Sequence, residues 1–207
     1  MSRKFTKDEI DRFHDYSIHL PTRTLYMGSE NNDSESGESG CDGAMAERVV
    51  KNLHILDTLS AEPITILMNN IGGDEYHGFA IYDAIKACRS HVTIKVLGHA
   101  MSMGSIILQA ADERVMAPTS RQMIHYGTWG VYDHAKTTQK WAKEGEKIDL
   151  WMERMYLGKI HDKNPKFTLR GIRTMLDHDT FLTAEESVEL GLADSVLGIM
   201  ESGKEEE

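Results

Sequence analysis

The chain has 207 residues, of which 40% are hydrophobic and 27% charged. That is enough to bury a sizeable core in one domain, and it excludes a chain disordered throughout. A formal net charge of −10 argues against nucleic acid as the main partner, because phosphate binding needs a surplus of Lys and Arg.

Residues 1–12 read as a short polar N-terminal arm, and scattered apolar positions (Phe5, Ile10, Phe13, Tyr16) allow a short helix within 1–20. Arg23–Met27 is rich in β-favouring residues and reads as a short strand. The stretch 28–43 carries five carboxylates, no Lys or Arg, and no apolar residue except Cys41. It cannot bury enough surface to offset its ordering entropy, so it reads as a flexible acidic surface loop. Met45, Val49, Leu53, Leu56 and Leu59 keep helical spacing over 44–60. Ile64–Asn69 is a strand that runs into Asn70-Ile71-Gly72-Gly73, and 75–88 returns to helical spacing through Ile81, Ile85 and Cys88. Val92–Leu97 alternates as a strand. A Gly98-His99-Ala100 turn and a helix from about Met101 to Ala111 follow.

Short strands are expected at Arg114–Ala117, stopped by Pro118, and at Met123–His125. A long helix spans about Ala135 to Ile160, with Trp141, Ile148, Trp151, Met152 and Met155 on one face. Thr168 can cap a short helix. Thr183-Ala184-Glu185-Glu186 is a capping box, with Gly191 placed to end the helix that it starts. Ala193–Leu197 is a last short strand, and 201–207 is a charged tail. Strands alternating with helices predict an α/β fold with mainly parallel strands.

Four segments could carry chemistry. In Ala100-Met101-Ser102-Met103-Gly104 a strand ends and a helix begins around a serine, which exposes Oγ where unpaired N–H groups favour negative charge. The same pattern also fits a small residue beside a tight turn. Gly72-Gly73 can turn N–H groups toward an oxyanion, or simply link a strand to a helix. His125 ends a short apolar strand, as a general base or as a buried structural histidine. Asp179, ahead of Phe181-Leu182 and a capped helix, could orient a histidine or sit in a surface turn.

No dinucleotide fingerprint, P-loop or His-Glu-x-x-His occurs. Cys41 and Cys88 are too few for a disulfide framework and too far apart for a local metal motif, so no cofactor or metal is expected. No apolar run reaches the roughly 20 residues of a membrane span, and Met1–Ile10 lacks the apolar stretch of a secretory signal. The expectation is a cytoplasmic protein with no membrane or nucleic-acid partner.

Taken in order, these segments resemble one family, the ClpP proteolytic subunit of the Clp protease, a serine peptidase. The resemblance runs from Phe13-x-x-Tyr16-Ser17-x-x-Leu20-x-x-Arg23 through Asn70–Gly73, Tyr82-Asp83, Gly98–Gly104 and Ser120-Arg121-x-Met123-Ile124-His125. It continues through Asp179-x-Phe181-Leu182-x-Ala184-x-Glu186 to Gly191–Ser195. It implies a crotonase-like, ClpP-type α/β fold over 13–200, with repeated β-β-α units, a head, and a handle at about 133–161.

The resemblance further implies Ser102 as nucleophile, His125 as general base and acid, and Asp179 as its orienting carboxylate. The N–H groups of Gly73 and Met103 would form the oxyanion hole. Gly72, Asp74 and Tyr126 would lie along the peptide. Heptameric rings stacked in pairs, an AAA+ unfoldase ring as partner and unfolded polypeptides as substrate are also implied.

The chain departs from the family pattern in several places. Ile71 stands where Pro is usual, and Tyr126-Gly127 replaces Gln-Pro after the histidine. The acidic stretch is enlarged, residues 1–12 are charged, and a short insertion lies near His161–Phe167. These mark a divergent member, with an ATPase-independent processing peptidase of the phage capsid-maturation kind as the alternative. Three rivals have other chemistry. A non-catalytic ring subunit would not need the Ser-His-Asp set. An α/β-hydrolase would need His178 to act after Asp133 or Asp162. An acyl-CoA enzyme on the crotonase fold would use Gly73 and Met103 but not Ser102.

Overall fold

Strand β4 (Val92–Met101) is the axis of the fold, because its partner changes along its length. Thr93–Val96 pair in parallel with β5 (Glu113–Met116), whereas His99–Met101 pair in parallel with β6 (Arg121–Ile124). On the other edge β3 (Ile64–Asn70) and then β2 (Thr24–Met27) run parallel to it, and β1 (Ile18–His19) adds an antiparallel end. Beyond β5 lies β8 (Ser195–Val196), and β7 (Thr180–Thr183) pairs antiparallel with β6. One eight-stranded sheet results, with β6 and β7 branching from the far end of β4. This computed structural model describes residues 5–28, 40–128 and 130–198.

The elements follow from their sequences. Along β3, Ile64, Ile66 and Met68 alternate into the core, the two-residue period of a strand with one face fully covered. Helix α2 (Gly43–Leu59) starts where the Asp42 side chain accepts from the Met45 N–H, and it buries Val49, Leu53 and Leu56. Helix α3 (Glu75–Ala87) is capped by Asp74 in the same way and buries Ile81 and Ile85. Burying each such side chain stabilises the fold by about 1.5–3 kcal/mol. The short helix α4 (Met103–Leu108) is buried at all six positions.

Helix α5 (Ala135–His161) is 27 residues long, about 40 Å of helix. None of its buried residues precedes Gly145, so its first ten residues bury nothing in the body of the chain. Trp141 and Trp151 on its expected apolar face stay 40% and 37% exposed. Its second half returns to the core through Ile148, Met152, Tyr156 and Ile160. Thr168 caps α6 (Leu169–Leu176), and the Thr183–Glu186 capping box opens α7 (Ala184–Leu190), which Gly191 ends at φ 96°.

The sheet is tied to the C-terminal segment by Arg114. Its guanidinium donates to both Asp194 carboxylate oxygens, to Gln109 Oε1 and to the Gly191 carbonyl. Burial alone would raise the Asp194 carboxyl, but these Arg114 bonds outweigh it and hold the group below its ordinary range.

Several sequence expectations need correction. Gly98-His99-Ala100 is not a turn: β4 continues through it to Met101. The extension is possible because a side chain at Gly98 would collide with Asn69 Oδ1, which accepts the His99 N–H at 3.2 Å. Accordingly the following helix starts at Met103, after Ser102 and not before it, and ends at Leu108. Within the arm of 1–12, residues from Lys7 onward belong to helix α1 (Lys7–Tyr16), held by a Thr6–Glu9 capping box. Leu59 is exposed although it keeps the helical spacing. The core of the acidic loop, 29–39, and the tail 201–207 lie outside the described residues.

Candidate active site

Three strand ends converge where the sheet branches. Ser102 follows β4, and its N–H donates to the Met123 carbonyl of β6 at 2.9 Å. Its backbone sits at φ 49° and ψ −122°, a conformation that a non-glycine residue adopts only under constraint. That conformation turns the chain sharply between strand and helix, and Oγ comes within reach of His125 Nε2.

His125 immediately follows β6, and Asp179 immediately precedes β7. The antiparallel register pairs Ile124 with Thr180, so the two next residues face each other. His125 Nδ1 lies 3.0 Å from Asp179 Oδ1, and His125 Nε2 lies 2.8 Å from Ser102 Oγ. A carboxylate can only accept, so Nδ1 carries the proton, Nε2 accepts, and the Ser102 hydroxyl donates to it. The imidazole is 22% exposed and the Asp179 side chain 59% exposed. Solvent therefore reaches the carboxylate end of the chain of bonds.

Gly72 and Gly73 lie beside the serine at φ 110° and 136°, in the region that favours glycine. A Cβ on Gly72 would stand 2.7 Å from Ser102 Cβ and 3.0 Å from the Met103 nitrogen. The Gly72 carbonyl accepts from Cys41 N–H, and the Asp74 N–H donates to the Cys41 carbonyl at 2.8 Å, which fixes the Gly73 peptide. Among the described residues, neither the Gly73 nor the Met103 N–H finds an acceptor. Cys41 itself is buried. Burial, with Asp42 and Asp74 nearby, pushes its thiol up to about 12, which removes it as a competing nucleophile.

Tyr126 is turned inward. Its hydroxyl donates to Glu153 Oε1 at 2.6 Å, and its N–H donates to the Leu176 carbonyl at 2.8 Å. Glu153 also accepts from Arg173 Nε and Nη2 at 3.0 and 2.9 Å. Burial would raise the Glu153 carboxyl, but these bonds win and hold it low. The backbone that carries His125 is thereby tied to α5 and α6. Of the residues expected along a peptide, Asp74 lines the cleft, Gly72 is buried behind Gly73, and Tyr126 is directed to Glu153.

The serine opens onto a cleft of about 340 Å³, whose walls include Met103, Ile106, Met152 and Thr128. One lining residue that sequence reasoning did not single out is Glu75. Burial, reinforced by Asp149 and Asp74, raises its carboxyl to about 7. Its only sequence signal is an acidic pair directly after Gly-Gly, which also reads as an ordinary helix start. Among the described residues no group of three or more His, Cys, Asp or Glu is placed to hold a metal ion. Nor is any helix among them long and apolar enough to cross a membrane.

A model of the Clp protease family matches residues 36–200. The chain belongs to the Clp protease family. It is similar to an ATP-dependent Clp protease proteolytic subunit of Deinococcus radiodurans, 31% identical over 185 residues, covering 88% of this chain and 83% of the relative. It is also similar to a proteolytic subunit 3 from a Synechococcus strain, 33% identical over 180 residues and covering 84% and 82%. A proteolytic subunit 2 of Treponema denticola is 33% identical as well, over 86% of this chain and 82% of its own length. The mixed α/β sheet with its branch at β6–β7 is thus a ClpP-type fold, and the protein is a serine-type endopeptidase, a hydrolase.

Proposed function

We propose that Ser102, His125 and Asp179 form the catalytic triad of this peptidase. The observation that carries the reading is the continuous run of hydrogen bonds from Ser102 Oγ through both His125 nitrogens to Asp179. Ser102 Oγ attacks the peptide carbonyl while Nε2 takes its proton. The carbonyl oxygen becomes an oxyanion held by the Gly73 and Met103 N–H groups. As the C–N bond breaks, Nε2 returns the proton to the leaving amine. Water then attacks the acyl-enzyme by the same route and frees the serine. Each oxyanion donor is worth about 10²–10³ in kcat. Asp179 keeps the proton on Nδ1, so that Nε2 stays a base.

The substrate runs extended beside Gly73 and Asp74, adding a strand to this edge. Family membership supports an assembly of heptameric rings stacked in pairs, with the start of α5 as the contact between rings. It also supports unfolded polypeptides as substrates, an AAA+ unfoldase ring as partner and a cytoplasmic location. The first ten residues of α5, free of buried positions and bearing Trp141, have the surface such a contact needs.

Turnover of a short fluorogenic peptide tests the chemistry. Ser102→Ala and His125→Ala should each remove nearly all of it, and native mass spectrometry should find both variants assembled as two stacked heptamers. Normal turnover by Ser102→Ala would refute the nucleophile. Degradation of a folded, tagged protein with and without an unfoldase ring tests the partner. Equal rates would favour an ATPase-independent processing role.

A further inference from the structure

We propose that the cleft beside Ser102 selects a lysine or arginine side chain on the residue whose carbonyl is attacked. The cleft combines two surfaces. Met103, Ile106 and Met152 give an apolar wall of the kind an alkyl stem packs against. Glu75 lines the same space, and its Oε2 is buried with no hydrogen-bond partner among the described residues. Asp149, one helical turn before Met152 on α5, lines the neighbouring cavity with Val131 and Trp141; its Oδ1 is likewise buried without a partner, and its charge reaches Glu75. Asp74 adds a third carboxylate at the rim, and no Lys or Arg is among the described residues that line the cleft.

Buried carboxylate oxygens without donors are costly, and a structural role would have supplied partners. Glu153 on the same helix shows the contrast, with Tyr126 and Arg173 meeting both of its oxygens. Glu75 lacks such donors, so a cation arriving with the substrate is the group that satisfies it, with Asp149 behind it adding to the field. A lysine ammonium brings three donors and an arginine guanidinium five, at the end of a stem that suits the apolar wall. The raised carboxyl of Glu75 agrees with this: a cation would favour the charged form that Asp149 and Asp74 now oppose.

This inference rests on Ser102 being the nucleophile, and its test separates the two claims. The full-length protein is treated with two peptidyl diphenyl phosphonates that differ only in carrying lysine or leucine at the reacting position. In each, Ser102 Oγ bonds to phosphorus and phenoxide leaves. A plain alkyl fluorophosphonate is run in parallel, and labelling is followed by mass spectrometry at about pH 8. We expect the lysine reagent to label Ser102 at least about tenfold faster than the leucine reagent. That ratio should collapse in Glu75→Gln and fall in Asp149→Asn. Reading the ratio within each protein cancels any general loss of reactivity or folding. An equal or faster leucine reagent, with fluorophosphonate labelling intact, would overturn the selectivity alone. A wild-type ratio preserved in Glu75→Gln would overturn the role of Glu75. No labelling by any of the three reagents would overturn the nucleophile, and the selectivity with it.

Discussion

Ile124 and Thr180 stand opposite each other across the antiparallel β6–β7 pair, and this register sets His125 against Asp179. The His125–Asp179 contact is therefore an extension of the sheet ladder, one residue beyond its last pair. Because Asp179 is 59% exposed, water can partly replace its role in orienting the imidazole. Asp179→Asn should lower kcat on the order of 10²- to 10⁴-fold, the upper figure being that of a buried carboxylate. Steady-state kinetics on a fluorogenic peptide checks this, and wild-type kcat in the variant would mean that another group orients His125.

At Gly72 both packing against Ser102 and the backbone conformation oppose a side chain. Alanine there would put Cβ 2.7 Å from Ser102 Cβ while holding φ at 110°. Strain of about 1–3 kcal/mol is expected, and the serine must move to relieve the contact. A displacement of about 1 Å at the reacting atom costs on the order of 10²-fold in rate. Gly72→Ala should therefore lose about that much in kcat/KM, with a lower Tm. Unchanged kinetics would show that the turn can yield elsewhere.

Glu75 makes stability depend on pH with a sign opposite to that of most carboxylates. Its folded pKa, about 7, is above the ordinary value, so the folded state binds more protons than the unfolded state between about pH 4.5 and 7. Stability from this group is fully present below that window, falls as pH rises through it, and stays low above it. Burial is the largest cause of the shift, and Asp149 on α5 and Asp74 at the start of its own helix add to it. Glu75→Gln should raise Tm at about pH 8 and change it little at about pH 4. Thermal melts at the two pH values check this, and a lower Tm at pH 8 would contradict the account. Asp194 and Glu153, whose carboxyls are held low, act in the usual direction. Their contribution is present above the unfolded pKa and is lost as pH falls through the folded pKa.

Much of the fold and the grouping of Ser102, His125 and Asp179 are legible in sequence because these residues stand where periodicity breaks. Ser102 sits between an alternating strand and an apolar helix, His125 ends an apolar strand, and Asp179 precedes a capped helix. The Gly98-His99-Ala100 segment was misread because small residues signal a turn. What extends the strand there is the approach of Asn69, which local pattern does not encode. The direction of the Tyr126 hydroxyl is hidden from the sequence for a similar reason. Its direction depends on Glu153, 27 positions away on α5. Glu75 carries no distinct signal of its own in the sequence, because Asp-Glu after Gly-Gly is also how many helices begin. Its burial comes from tertiary packing, where α3 meets α4 and the Trp151 face of α5.

The most direct measurement is the site labelled by a fluorophosphonate, located by mass spectrometry in the assembled protein. The account predicts one label per chain, on Ser102, and none there in His125→Ala over the same interval. A label on another residue, or none on Ser102 in intact assembled protein, would contradict it.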